Sequence, residues 1–168
     1  AKKSILRRGH FTARAKLFVR MDDVGLIMES CYLVGDFNEK FGMLFLITYI
    51  FLLRLPSEAL PIVRGVNGVA DYVQKKAVLY LDGDCLCLKL SSRKNIRTGS
   101  LLKRGCWCKS ARFLICPVHV VWPFVCKFEV GDPIFHGISP SLAINTLRKY
   151  LGALGKANAV AYRCHDIS

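Results

Sequence analysis

A chain of 168 residues with 52% apolar composition can bury a full core without a metal or disulfide to hold it, which excludes a disordered segment and a disulfide-stapled miniprotein. Its 25 Lys and Arg against 12 Asp and Glu leave a formal charge of +13, a surface suited to a polyanion, nucleic acid first, with an anionic membrane surface a distant alternative for want of a basic amphipathic helix. The basic opening leads into no signal-peptide core, and the longest apolar run, Phe41 to Leu53, falls short of the roughly 20 residues of a membrane span, so neither secretion nor a membrane is expected.

In chain order, residues 1–16 read as a basic docking arm and residues 17–168 as one domain. Asp22 is a candidate N-cap for a helix with Val24, Ile27, Met28 and Cys31 on one face and Gly35 at its end. Asn38 can cap a second helix, Glu39 to about Leu53, apolar nearly all round and therefore central. Pro56 to Pro61 reads as a break with a short helical turn. The period then changes: Ala77–Leu81 and Cys85–Leu90 read as strands about an Asp82-Gly83-Asp84 turn, and a basic loop, 91–100, leads to a third strand at Leu101 and Leu102. Pro117 can start a helix that Pro123 should interrupt, and Gly131-Asp132-Pro133 is a loop. Ser139 and Pro140 open a last helix with Ala143, Leu147, Tyr150, Leu151 and Leu154 on one face and Gly155 past its end. The expectation is α+β, mainly helical, with a small antiparallel three-stranded sheet.

Three basic side chains carry the chemistry. Arg54 stands where the buried helix breaks, with Glu58 one turn on; the pair reads either as a structural ion pair or as a guanidinium fork for phosphate oxygens steadied by a carboxylate. Lys94 lies in the loop between the second and third strands, where a lysine can reach a DNA groove and protonate a leaving oxygen. His165, after Tyr162-Arg163-Cys164, gains weight from that company. Arg93, Arg97, Lys103 and Arg104 are candidate DNA contacts beside them.

Leu53-Arg54-Leu55-Pro56-Ser57-Glu58, the loop lysine Lys94, the stretch Phe135-His136-Gly137-Ile138-Ser139-Pro140 and the late His165 together resemble the tyrosine recombinase, or phage integrase, family, particularly its eukaryotic, fungal and Crypton-like members. The first segment has one residue more between Arg and Glu than the commonest spacing, and Ser168 stands where the second arginine of the His-x-x-Arg motif belongs. The resemblance implies recombination or integration of mobile-element DNA, without metal or nucleotide, in which a tyrosine attacks the scissile phosphate, Arg54 and His165 stabilise the transition state and Lys94 protonates the 5′ oxygen. It further implies duplex DNA as partner, a homo-oligomer on that DNA and a nuclear location. None of the six tyrosines follows His165, so none is assigned as nucleophile, and the fragment is expected to be inactive. The rival reading is a non-enzymatic basic nucleic-acid-binding module.

Eight cysteines in a chain with a full core read as reduced thiols. Cys106, Cys108, Cys116 and His119 have the spacing C-x-C, seven residues, C-x-x-H, compact enough to close around one structural zinc; buried cysteines on strand ends are the alternative, and Cys85, Cys87 and Cys126 are read as core.

Overall fold

The computed structural model describes residues 18–32, 36–66, 76–93, 96, 98–109, 113–164 and 167. The basic arm, Gly35, Lys94, Arg97, His165 and Ser168 lie outside the described residues. In chain order the elements are α1 (Met21–Tyr32), α2 (Asp36–Phe51), a π turn (Leu55–Ala59), β1 (Ile62–Arg64), β2 (Ala77–Asp82), β3 (Cys85–Leu90) and β4 (Ser100–Arg104). A 3₁₀ turn (Phe113–Ile115), a second π turn (Pro117–Val121), α3 (Trp122–Val125), α4 (Pro140–Ala153) and a last 3₁₀ turn (Ala159–Ala161) follow.

α2 is the axis of the molecule. Phe41 and every residue from Met43 to Ile47 are buried, so the helix has no solvent face over that stretch, as an apolar run without amphipathic period requires. α1 packs on it through Val24, Ile27, Met28 and Cys31. The contact is close because Gly42 has no side chain: a Cβ there would lie 2.9 Å from Cys31 Sγ and 3.0 Å from Met28 Sδ. Two sequence expectations shift at these helix starts. Asp22 is inside α1, and it is Asp23 that closes its N-terminus, its Oδ2 accepting the Arg20 amide at 2.9 Å while Oδ1 meets Lys156 Nζ at 2.9 Å. Asn38 also lies inside its helix, where its Oδ1 accepts the Tyr150 hydroxyl at 3.1 Å and ties α2 to α4.

The sheet has four strands in the order β1-β2-β3-β4 and is mixed, which corrects the expected three-stranded antiparallel sheet. β2–β3 and β3–β4 pair antiparallel as expected, but β1 runs parallel to β2 with Ile62 opposite Ala77. A three-residue strand whose partner comes a dozen positions later leaves no hairpin signature to read. Side chains alternate across the sheet: Ala77, Leu79, Leu86, Leu88 and Leu90 join the helices in the main core, whereas Val63, Val78, Tyr80 and Cys87 form a small cluster on the other face.

The segment after β4 is where the sequence was hardest to read. Pro117 does start a helical turn, but Pro123 does not break it, because the π turn hands over to α3 and Pro123 falls in the first turn of α3, where no donor is required. Cys87 is buried as expected, Cys85 half-buried, and Cys126 is exposed rather than core. α4 begins as read: Ser139 Oγ accepts the Leu142 amide at 3.1 Å, and Ala143, Leu147 and Leu151 are fully buried. Arg148 Nε donates to Tyr162 O at 2.9 Å, and Tyr162 and Ile167 are buried in the main core, so the tail is anchored on both sides of position 165. Among the described residues no helix is long and apolar enough to cross a membrane.

Candidate metal centre and basic corner

The basic corner is built on the C-terminal end of α2. A helix end presents unsatisfied carbonyls and partial negative charge, and α2 has no basic residue in its last turn. Arginines from the sheet supply it. Arg104, the last residue of β4, donates from Nε to Ile50 O at 2.9 Å and lies 5.5 Å from the centroid of the Phe51 ring; Arg93, just past β3, donates from Nη2 to Leu52 O at 3.1 Å. Arg93 Nε also stands 3.5 Å from Glu58 Oε1. The loop after β3 is thereby tied to the exit of α2.

Glu58 is buried, at 5% exposure, so its carboxylate must be fully paired. The sequence offers Arg54 as the ion-pair partner, but the carboxylate instead accepts the Arg54 backbone amide, at 2.9 Å on Oε2, and pairs with Arg93 on Oε1. Turn geometry explains the exchange. Arg54 is extended and caps the π turn, whose wide loop (Glu58 and Ala59 amides both on Arg54 O, at 2.9 and 3.2 Å) brings the carboxylate back over the cap. Half-buried Arg54 is left with a guanidinium that makes no hydrogen bond or ion pair among the described residues.

Of the other candidate contacts, Lys103 is exposed and pairs with Asp82 Oδ2 at 3.1 Å, while the guanidinium of Arg104 is committed to Ile50 O and to Lys103 O. Lys94, Arg97 and His165 lie outside the described residues, so their expected convergence on Arg54 is neither supported nor opposed.

Two residues beyond Arg104 the metal cluster begins. Cys106, Cys108, Cys116 and His119 bring their ligand atoms within 4.8 Å of one another and can hold a metal ion. Cys106 and Cys108 come from the loop after β4, Cys116 is the cap of the second π turn, and His119 lies within that turn, on the same side because it is three residues on. The three sulfurs lie 3.3, 3.2 and 3.4 Å from one atom, His119 Nδ1, and Cys116 Sγ is 3.7 Å from Cys106 Sγ. A single ring nitrogen cannot bond three thiols in its plane at once. Tetrahedral zinc, with Zn–S near 2.3 Å and Zn–N near 2.0–2.1 Å, asks for S···S of about 3.8 Å and S···N of about 3.6 Å. The amides of Trp107 and Cys108 point at Cys116 Sγ and Cys106 Sγ, both at 3.4 Å, the outer bonds that steady thiolate ligands.

The thiols are electrostatically unequal. Cys108 is pushed up to about 12, first by lost hydration and then by its bonds to Cys116 and Cys106. In Cys116 burial acts upward, but the amides of His119 and Trp107, the His119 ring and the Cys108 thiol bring it down to about 6. Packed sulfurs resist ionising together, and a dication removes that conflict.

Sequence reasoning did not single out Leu52 or the clasp of Arg64 Nη1 on the carbonyls of Cys126 and Phe128, since neither belongs to a local motif. Compared with known protein families, curated proteins and solved structures, the chain matches none.

Proposed function

We propose that this protein is a duplex-DNA-binding domain of the tyrosine recombinase kind, by ancestry a strand-joining core, in which Arg54 grips a backbone phosphate and zinc at Cys106, Cys108, Cys116 and His119 is structural. The observation that carries the reading is the guanidinium of Arg54, which has no partner among the described residues. A fixed cation beside a buried helix end, with its neighbouring carboxylate already spent on Arg93, has its fork available for two phosphate oxygens. The tie from Arg93 to Glu58 and Leu52 O adds support, because it gathers basic side chains from the sheet beside Arg54 at the end of α2. The π turn supports it again by accommodating the one-residue departure from the usual Arg–Glu spacing. Zinc rather than magnesium or calcium follows from three sulfurs and one imidazole, a donor set that hard oxygen-seeking ions do not accept.

The test of binding is a gel shift with a mixed-sequence duplex. Retention at low salt and a loss of about a hundredfold in affinity between roughly 50 and 200 mM salt, as four phosphate contacts would give, is expected; no retention at low salt would refute a DNA role. Native mass spectrometry of protein purified under reducing conditions should show one zinc, lost in Cys108→Ser.

A further inference from the structure

The end of α2 is closed by the paired bonds of a left-handed helix stop: the Leu52 amide donates to Tyr49 O at 3.2 Å and the Leu53 amide to Thr48 O at 2.9 Å, with Leu52 at φ 52° between them. Glycine is the usual residue at that position, since a Cβ there crowds the following carbonyl. This chain follows the rule elsewhere: Gly83, Gly99, Gly131, Gly137 and Gly155 take positive φ, and Asn158, of a type that tolerates it, does too. Leu52 alone among the described residues breaks it, and it does so with its side chain 56% exposed. An exposed leucine by itself means little. A leucine that is strained by its backbone and more than half exposed recovers less of that strain by burial than a core leucine would.

Its surroundings say what it meets. Arg93 donates to the Leu52 carbonyl, Ile96, joined to Arg93 by a pair of backbone bonds, is 45% exposed, and Arg54, its guanidinium without a partner among the described residues, is two residues on. An exposed apolar side chain whose own carbonyl is held by one guanidinium, with a second arginine two residues on, suits a nucleic-acid groove, where charged rims flank apolar sugar and base edges.

We infer that Leu52 is a base-contacting side chain of this surface, entering a groove of duplex DNA as an apolar wedge while Arg54 holds a flanking phosphate. The inference rests on the DNA reading above and deepens it: phosphate contacts fix position without reading bases, and Leu52 adds the contact that does reach them.

The experiment uses Leu52→Gly, Leu52→Met and Arg54→Ala in the full chain, with fluorescence anisotropy on a mixed-sequence duplex and thermal melting of the free protein. Leu52→Gly should relieve the backbone and raise the melting midpoint by about 2–4 °C. The same variant should bind duplex about tenfold more weakly with an unchanged salt slope, since no charge is lost, and Leu52→Met should stay within about twofold of wild type by keeping the apolar bulk. A purely structural Leu52 could not give higher stability with weaker binding. If Leu52→Gly binds like wild type while Arg54→Ala weakens binding, the wedge is wrong and the phosphate corner stands. If the wild type binds no duplex, both fall. If sedimentation shows a dimer that Leu52→Gly dissociates, the patch belongs to a second copy and the wedge is likewise overturned.

Discussion

The basic corner and the metal cluster are neighbours, two residues apart at Arg104 and Cys106, yet they are built on opposite plans. All four cluster ligands fall between positions 106 and 119, and their donor atoms meet around one point. The corner joins α2, the π turn at 55–59 and the loop after β3, and among the described residues it spends its pairings unevenly: Arg93 and Arg104 are bonded into the fold while the Arg54 guanidinium has no partner. A site that is complete once a metal enters serves the fold. On the proposed reading, a site with a surplus cation, after its acid has been used, holds a phosphate from outside the fold.

Perturbing the cluster should therefore cost the most stability. Chelation, or Cys108→Ser, removes a ligand bound to the native state only, and at a thousandfold excess over its dissociation constant that is about 4 kcal/mol, a drop of roughly 10 °C in the melting midpoint for a domain of this size. Calorimetry with and without chelator checks it; identical midpoints would return the cysteines to ordinary packing. Glu58→Ala comes next, because it strands the Arg54 amide and the Arg93 guanidinium, for about 2–3 kcal/mol in urea unfolding. Arg104→Ala loses one bond to a helix carbonyl and a contact with the Phe51 face, about 1–1.5 kcal/mol. Arg54→Ala should change stability by no more than about 0.5 kcal/mol, the ordinary effect of a surface substitution. A large loss there would show Arg54 to be a structural residue and erase the contrast between the two sites.

What was legible in the sequence follows the same division. The metal set could be read because its ligands are local and of a rare type, and α4 could be read because Ser139, Pro140 and Gly155 punctuate it in the expected places. β2 and β3 announced themselves by alternation about Gly83. The pieces that escaped depend on partners distant in sequence. β1 exists through its parallel neighbour, and Glu58's choice of Arg93 over Arg54 depends on where a loop 35 positions later returns to α2. Leu52 escaped because a helix stop was expected at a proline or glycine, and the backbone instead forces a leucine into the left-handed region.

The most direct measurement is the salt dependence of duplex binding for the wild type and Arg54→Ala, side by side, with melting curves to establish equal folding. Each phosphate contact contributes about 0.9 to the slope of log affinity against log salt, so the expected result is a wild-type slope of roughly −4 or steeper, reduced in magnitude by about one in Arg54→Ala with an unchanged melting midpoint. Parallel lines for the two proteins, or no binding at low salt, would contradict the assignment of Arg54 to a DNA phosphate.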